Sequence, residues 1–214
     1  MYTDTSTSEF IHAQQSSVSD TFTEIEVLPS AGFNMLIRAK RDGKWWVLKG
    51  LKESVRNDTA YRELLRKEYD ILSQAASSNV VRVNSLEYVE GYGQCIVMEW
   101  IDGITLKEWL SLPHTYKDRV SMVRKLADAL TTVHEKQIVH RDLKPSNIMI
   151  TRNGSCVKLI DFGLSDADDY AAFKQPAGTK GYYSPEQQHD PIPDRRNDIF
   201  SLGMIMSQMS LGWR

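Results

Sequence analysis

The spacing of apolar residues changes once along this chain, at Asp102-Gly103, and that change restricts the folds open to it. Before it, short apolar stretches at 24–28, 35–39 and 45–51 read as successive strands, the last two joined by the turn signal Arg41-Asp42-Gly43-Lys44. One amphipathic helix is predicted over 61–75, where Leu64, Leu65, Glu68, Ile71 and Leu72 share a face and Glu63 lies on the outer one. Strands at 80–89 and 94–100 follow, joined by Glu90-Gly91-Tyr92-Gly93. After the change, helices are predicted at 105–110 and 116–136, the longer carrying Val120, Val123, Leu126, Ala127, Leu130 and Val133. Extended pieces at 148–150 and 157–160 flank Arg152-Asn153-Gly154, and a last helix starts near Asp198. The pattern is α+β in two lobes: a sheet-rich one at 22–101 with a single helix, and a mainly helical one at 102–214. A ligand is expected in a cleft between them. Residues 1–21, rich in Ser, Thr and Gln, read as a flexible arm.

Charge and composition exclude several roles. The 26 basic and 28 acidic residues are interspersed, leaving a net charge of -2 and no basic block for nucleic acid. Cys95 and Cys156 are too few for a disulfide framework or a zinc site, and read as two buried thiols in a reducing compartment. No apolar run approaches the ~18 residues of a membrane span, and no secretory signal opens the chain. The expected location is cytoplasmic. The sequence assigns no oligomeric state.

The most specific segment is His140-Arg141-Asp142-Leu143-Lys144-Pro145-Ser146-Asn147, with Asp161-Phe162-Gly163 following it. Singly, Asp142 reads as a loop carboxylate, Asn147 as a turn former and Asp161 as a helix cap or surface charge. Together and in this order they resemble the protein kinase family. The resemblance implies a two-lobed kinase fold, ATP and Mg2+ as ligands, and a protein substrate bearing the acceptor hydroxyl. Such a transfer needs a proton acceptor, hard oxygen ligands for a divalent metal, and a cation beside the moving group. The resemblance gives these roles to Asp142, to Asn147 with Asp161, and to Lys144. Lys144-Pro145 favours serine or threonine over tyrosine. His140 is expected to be structural, packed on Phe162.

The same resemblance reaches upstream and downstream. Lys49, ending Trp46-Val47-Leu48-Lys49, would grip the α- and β-phosphates and pair with Glu68. The stretch from Ile96 to Gly103 is similar to the family's hinge, so Met98, Glu99, Trp100 and Ile101 would meet adenine, and Gly32, Leu36, Val47 and Met149 would also touch nucleotide. Gly178-Thr179 and Ser184-Pro185-Glu186 resemble the end of an activation segment, with Thr179 bonded to the catalytic Asp and Lys. Asp198 would buttress the catalytic-loop backbone.

Two departures qualify the match. Pro29, Ala31 and Asn34 stand where the family's phosphate loop usually has glycines, leaving Gly32 and a left-handed Asn34 to supply freedom. A nucleotide-binding scaffold without catalysis is therefore the alternative reading, together with an inactive fragment. Against a span of about 250 residues, the chain reads as truncated, with Leu202, Ile205, Met206 and Met209 short of cover and Glu186 short of an arginine. Finally, Asp166, Asp168 and Asp169 form an acidic cluster near the acceptors Ser165 and Tyr170, and the two readings of it are an aspartate paired with Arg141 and a solvated loop.

Overall fold

The structure is a computed structural model that describes residues 22–30, 32–162, 178–188 and 192–211. The Ser/Thr-rich arm, Ala31, Gly163 and the acidic cluster with Ser165 and Tyr170 lie outside the described residues. The backbone divides into two units, Met1–Arg66 with Val83–Trp100, and Lys67–Arg82 with Ile101–Arg214.

The first unit is built on a five-stranded antiparallel sheet in the order β1-β2-β3-β5-β4. Its strands are β1 (Thr23–Leu28), β2 (Asn34–Arg41), β3 (Lys44–Leu51), β4 (Val83–Val89) and β5 (Gly93–Glu99). Asp42 and Gly43 both take positive φ, 52° and 73°, the backbone a tight hairpin between β2 and β3 requires. Because alternate residues face opposite ways, the register sorts the side chains. Met35, Ile37 and Ala39 join Leu48, Cys95, Val97, Val89 and Phe22 in an apolar cluster on one face. The paired rows Leu36–Lys49–Ile96 and Arg38–Val47–Met98 lie on the other. Burying the apolar row contributes roughly 1.5–3 kcal/mol per large side chain.

Helix α1 (Thr59–Gln74) is divided between the units. Leu64, Leu65, Glu68 and Leu72 are buried along one face and Glu63 is exposed, as the spacing predicts. Lys136 closes its C-terminal end by donating to the carbonyls of Gln74 (3.2 Å) and Ala76 (2.7 Å).

The second unit holds a three-stranded sheet of β6 (Gly103–Thr105), β7 (Ile148–Thr151) and β8 (Val157–Leu159), and the helices α2 (Leu106–Leu110), α3 (Tyr116–Glu135) and α4 (Arg195–Leu211). Helices α2 and α3 each open with a capping box, Thr105 with Glu108 and Thr115 with Asp118. Hydrogen bonds from the Thr105 amide and hydroxyl hold the Glu108 carboxyl below its ordinary range, and those from the Thr115 hydroxyl and amide do the same for Asp118.

Several expectations are corrected here. Residues 103–105 form a strand: at Gly103 a Cβ would stand 2.0 Å from the Ile150 carbonyl oxygen, so only glycine lets β6 approach β7. Val80 belongs to the second unit, where it bridges Leu159 in parallel, and β4 starts at Val83. The buried stripe of α3 is Met122, Leu126, Ala129, Leu130, Val133 and His134, with Val120 and Ala127 exposed. Helix α4 begins three residues early because Asp194 Oδ1 accepts the Arg196 amide at 2.8 Å, leaving Asp198 inside the first turn. On α4, Leu202, Ile205 and Met209 are buried, and the exposed apolar residues are Ile199, Phe200 and Met206. Asn34 is a strand residue opposite Leu51, while Gly32 carries the positive φ of 63°. Arg196, bound chiefly to Asp194, also feels the charge of Glu186. Both cysteines are free. Cys95 is buried, which pushes its thiol up to about 12, whereas Cys156 is half-buried.

Candidate active site

The segment from Val139 to Asn147 runs between α3 and β7 as a loop whose conformation is fixed mostly by side chains of other elements. Asp198, fully buried on α4, is the centre of that support. Its Oδ2 accepts the His140 amide at 2.9 Å and its Oδ1 the Arg141 amide at 2.8 Å. Oδ2 also lies 2.8 Å from His134 Nε2 on α3. Three donors for one buried carboxylate offset the cost of burying the charge. Gln187 Nε2 donates to the Arg141 carbonyl at 2.7 Å. His140 is fully buried, with Nε2 3.1 Å from the Ile160 carbonyl and its ring 4.5 Å from that of Phe162. That is the structural role expected of it.

The loop thus presents Asp142, Lys144 and Asn147 together. Lys144 Nζ donates to Asp142 Oδ2 at 2.6 Å and to Thr179 Oγ1 at 2.7 Å, and Thr179 in turn donates to Asp142 Oδ1 at 2.7 Å. Asn147 Nδ2 donates to the Asp142 carbonyl at 3.0 Å and to its Oδ2 at 3.1 Å. The amide orientation follows from these acceptors, which leaves Oδ1 beside Ser146 Oγ, 3.5 Å from it. A short 3-10 turn, Pro145–Asn147, leads into β7, and the Ile160 amide donates to the Asn147 carbonyl at 3.0 Å. This ties the exit of β8 to the loop. Asp161 follows at once, half-buried and with φ of 65°. Arg141 has the same φ, and non-glycine residues adopt that region at a cost only where surroundings enforce it.

The end of the segment that carries Thr179 is anchored too. Gly178 has φ of 110° and sits where a Cβ would come within 3.0 Å of Gln187 Nε2 and 3.2 Å of the Arg141 carbonyl. Ser184 Oγ donates to Asn197 at 3.0 Å and Ser201 Oγ to the Tyr182 carbonyl at 2.8 Å.

The remaining predicted residues fall in two groups. In the first unit, Leu36, Val47, Lys49 and Met98 share one face of the sheet, Lys49 being 4% exposed. Glu99 and Trp100 are half-buried, and Gly32 is exposed at the turn between β1 and β2. In the second unit, Ile101 is buried, Met149 is half-buried on β7 opposite Thr105 and Lys158, and Glu68 is 4% exposed on α1. Sequence reasoning missed His134 and Gln187. His134 lies one residue past Val133 at the end of an apolar stripe, and Gln187 lies one past Glu186, where nothing in composition separates either from a packing residue.

Asn147 and Asp161 offer oxygen atoms, which suit a hard divalent ion. Among the described residues no group of three His, Cys, Asp or Glu is placed to hold a metal. Two protein oxygens fit an ion that takes the rest of its shell from phosphate oxygens and water, as Mg2+ does.

Comparison with known proteins agrees with this arrangement. Residues 30–213 match the family model described as the protein kinase domain. A probable serine/threonine-protein kinase of Clostridium perfringens is 32% identical over 182 residues, covering 82% of this chain and 26% of that protein. Serine/threonine-protein kinase PrkC of Bacillus subtilis is 30% identical over 77% of this chain and 26% of its own length. Serine/threonine-protein kinase PknB of Mycobacterium tuberculosis is 32% identical over 92% of this chain and 33% of its own. The chain thus spans about a quarter to a third of the length of these relatives. Among the described residues no helix is long and apolar enough to cross a membrane. With its loop from His140 to Asn147 and its match across residues 30–213, the chain belongs to the protein kinase family.

Proposed function

We propose that this chain catalyses transfer of the γ-phosphoryl group of ATP to serine or threonine hydroxyls of a protein substrate. The observation that carries the reading is the closed network of Asp142, Lys144, Asn147 and Thr179. Asp142 orients the acceptor hydroxyl and takes its proton, because Thr179 and Lys144 fix the plane of the carboxylate. Lys144, held against Asp142 by a 2.6 Å bond, stands as the cation beside the moving group. Asn147 and Asp161 would hold Mg2+, which supplies neutralisation of phosphate charge when bound. Lys49, on the sheet face shared with Leu36, Val47 and Met98, would take the α- and β-phosphates, and the backbone of Glu99 and Trp100 would take adenine. The three relatives named serine/threonine-protein kinases support the acceptor class. An ATP substrate and two unpaired cysteines support a cytoplasmic site of action.

The test is transfer of labelled phosphate from ATP to a mixed serine, threonine and tyrosine peptide set by the intact protein. Asp142→Asn is expected to lower the rate by roughly 10²–10⁴-fold, and Asp161→Asn to abolish Mg2+-dependent nucleotide binding as well. Nucleotide binding by the parent with no transfer to any acceptor would replace this reading with the scaffold alternative.

A further inference from the structure

The sheet face that carries Lys49 also carries a cation held between two indole rings. The Arg38 guanidinium lies 3.8 Å from the centre of the Trp45 ring and 4.6 Å from that of Trp100. Its Nη1 reaches Glu26 on β1 at 3.4 Å. Its Nε is buried with no hydrogen-bond partner, so the ring faces are what offset its loss of water. Arg38 is the cross-strand partner of Val47, which pairs in turn with Met98.

Trp100 is the member of this stack that matters for function. The ladder between β3 and β5 ends at the Trp46–Glu99 pair. Past that pair the strand pairing stops, and the Trp100 ring still lies against Arg38 of β2. We infer that Arg38 is a positioning residue for the nucleotide base: by clamping Trp100 against Trp45 it fixes the backbone of Glu99–Ile101 at the spacing a purine edge requires. This rests on the kinase reading above and adds to it a residue on β2 that touches neither phosphate nor metal. A guanidinium is suited to the task, since it lies close to both rings while its edge still reaches a carboxylate. The neighbouring Lys40, 5.5 Å from the Trp45 centroid and paired with Glu24 at 2.9 Å, stiffens the same row.

The clamp acts only on ligands that have a base, and that separates it from a general structural role. In the intact protein, binding of MgADP and of magnesium tripolyphosphate is measured calorimetrically for the parent and for Arg38→Ala, Arg38→Lys and Trp100→Leu. Arg38→Ala is expected to weaken MgADP binding by about fivefold to tenfold, to raise the KM for ATP by a similar factor, and to leave tripolyphosphate binding and kcat at saturating ATP within about twofold of the parent. Arg38→Lys recovers part of the loss, and Trp100→Leu weakens MgADP binding from the other side of the stack. Tryptophan emission shifts in Arg38→Ala before any ligand is added, reporting that the stack has opened. Equal losses for MgADP and tripolyphosphate overturn the clamp in favour of general destabilisation. So does an unchanged MgADP affinity in a variant whose emission has shifted, and in that case the kinase reading stands. A parent that binds no MgADP overturns both.

Discussion

The loop from His140 to Asn147 in the second unit and the turn at Ser30, Gly32 and Phe33 in the first are held in different ways. The loop is fixed by side chains of other elements: Asp198 receives two of its amides, Gln187 its Arg141 carbonyl, and Thr179 and Asn147 its carboxylate. Nearly every residue in it is buried. In the turn Pro29 and Gly32 are exposed, Ser30 and Phe33 are half-buried, and the hydrogen bonds that hold it end on backbone carbonyls. Lys52 donates its amide to the Phe33 carbonyl at 2.9 Å and its Nζ to the Gly32 carbonyl at 2.6 Å, and Ser30 Oγ closes on the Asn34 carbonyl at 2.9 Å. Phe33 rests on Tyr61, ring centres 4.9 Å apart. Where chemistry needs particular side chains, identity is constrained. Where it needs amides at an anion, any residue that tolerates the backbone suffices.

The comparison breaks most visibly at Asp198. Asp198→Ala strands two buried amides, and a loss of roughly 2–5 kcal/mol in unfolding free energy is expected from denaturant titration, together with loss of transfer. A loss under about 1 kcal/mol would mean that water replaces the carboxylate and that the loop is less dependent on it than its hydrogen bonds imply. At Gly32, a methyl group would meet nothing within 4 Å, so Gly32→Ala has only the φ of 63° to contend with. Its expected cost is about 1–2 kcal/mol, read as a lowered denaturant midpoint with no change in the activity remaining at saturating ATP. The smallest effect is expected at Asn34. Family pattern suggests that glycine there would improve ATP binding, but Asn34 already pairs with Leu51 in β2. Asn34→Gly should cost about 0.5–1 kcal/mol and leave ATP affinity unchanged. A gain in affinity would show that the turn is limited by side-chain bulk after all.

The same contrast explains what could be read from residues alone. Asp142, Lys144 and Asn147 were legible because their types and order are demanded together, and Thr179 because it follows Gly178 in a recognisable pair. The buried face of α1 was legible because burial enforces a period of 3.6. Gly103 was not, since a glycine after aspartate signals a turn equally well when the true requirement is room for the Ile150 carbonyl. Val80 was not, since an apolar run of strand-forming residues does not say which neighbour it pairs with. The start of α4 was misplaced because Asp194 and Asp198 are both able to cap a helix, and only the bond from Arg196 distinguishes them. His134 and Gln187 were invisible for a related reason: each acts on another residue's hydrogen bonds, and that has no local signature.

The positive φ of Asp161 bears on how an inactive control is made. Asparagine adopts left-handed backbone several-fold more readily than most residues, whereas alanine there meets a steric cost of roughly 1–2 kcal/mol. Asp161→Asn therefore deletes a charge at nearly constant backbone energy. Asp161→Ala deletes the charge and also loads the peptide that follows Ile160, whose amide is bound to Asn147. A silent Asp161→Ala protein would confound lost chemistry with a displaced Asn147, and Arg141, at the same φ of 65°, carries the same hazard into any alanine scan of the loop.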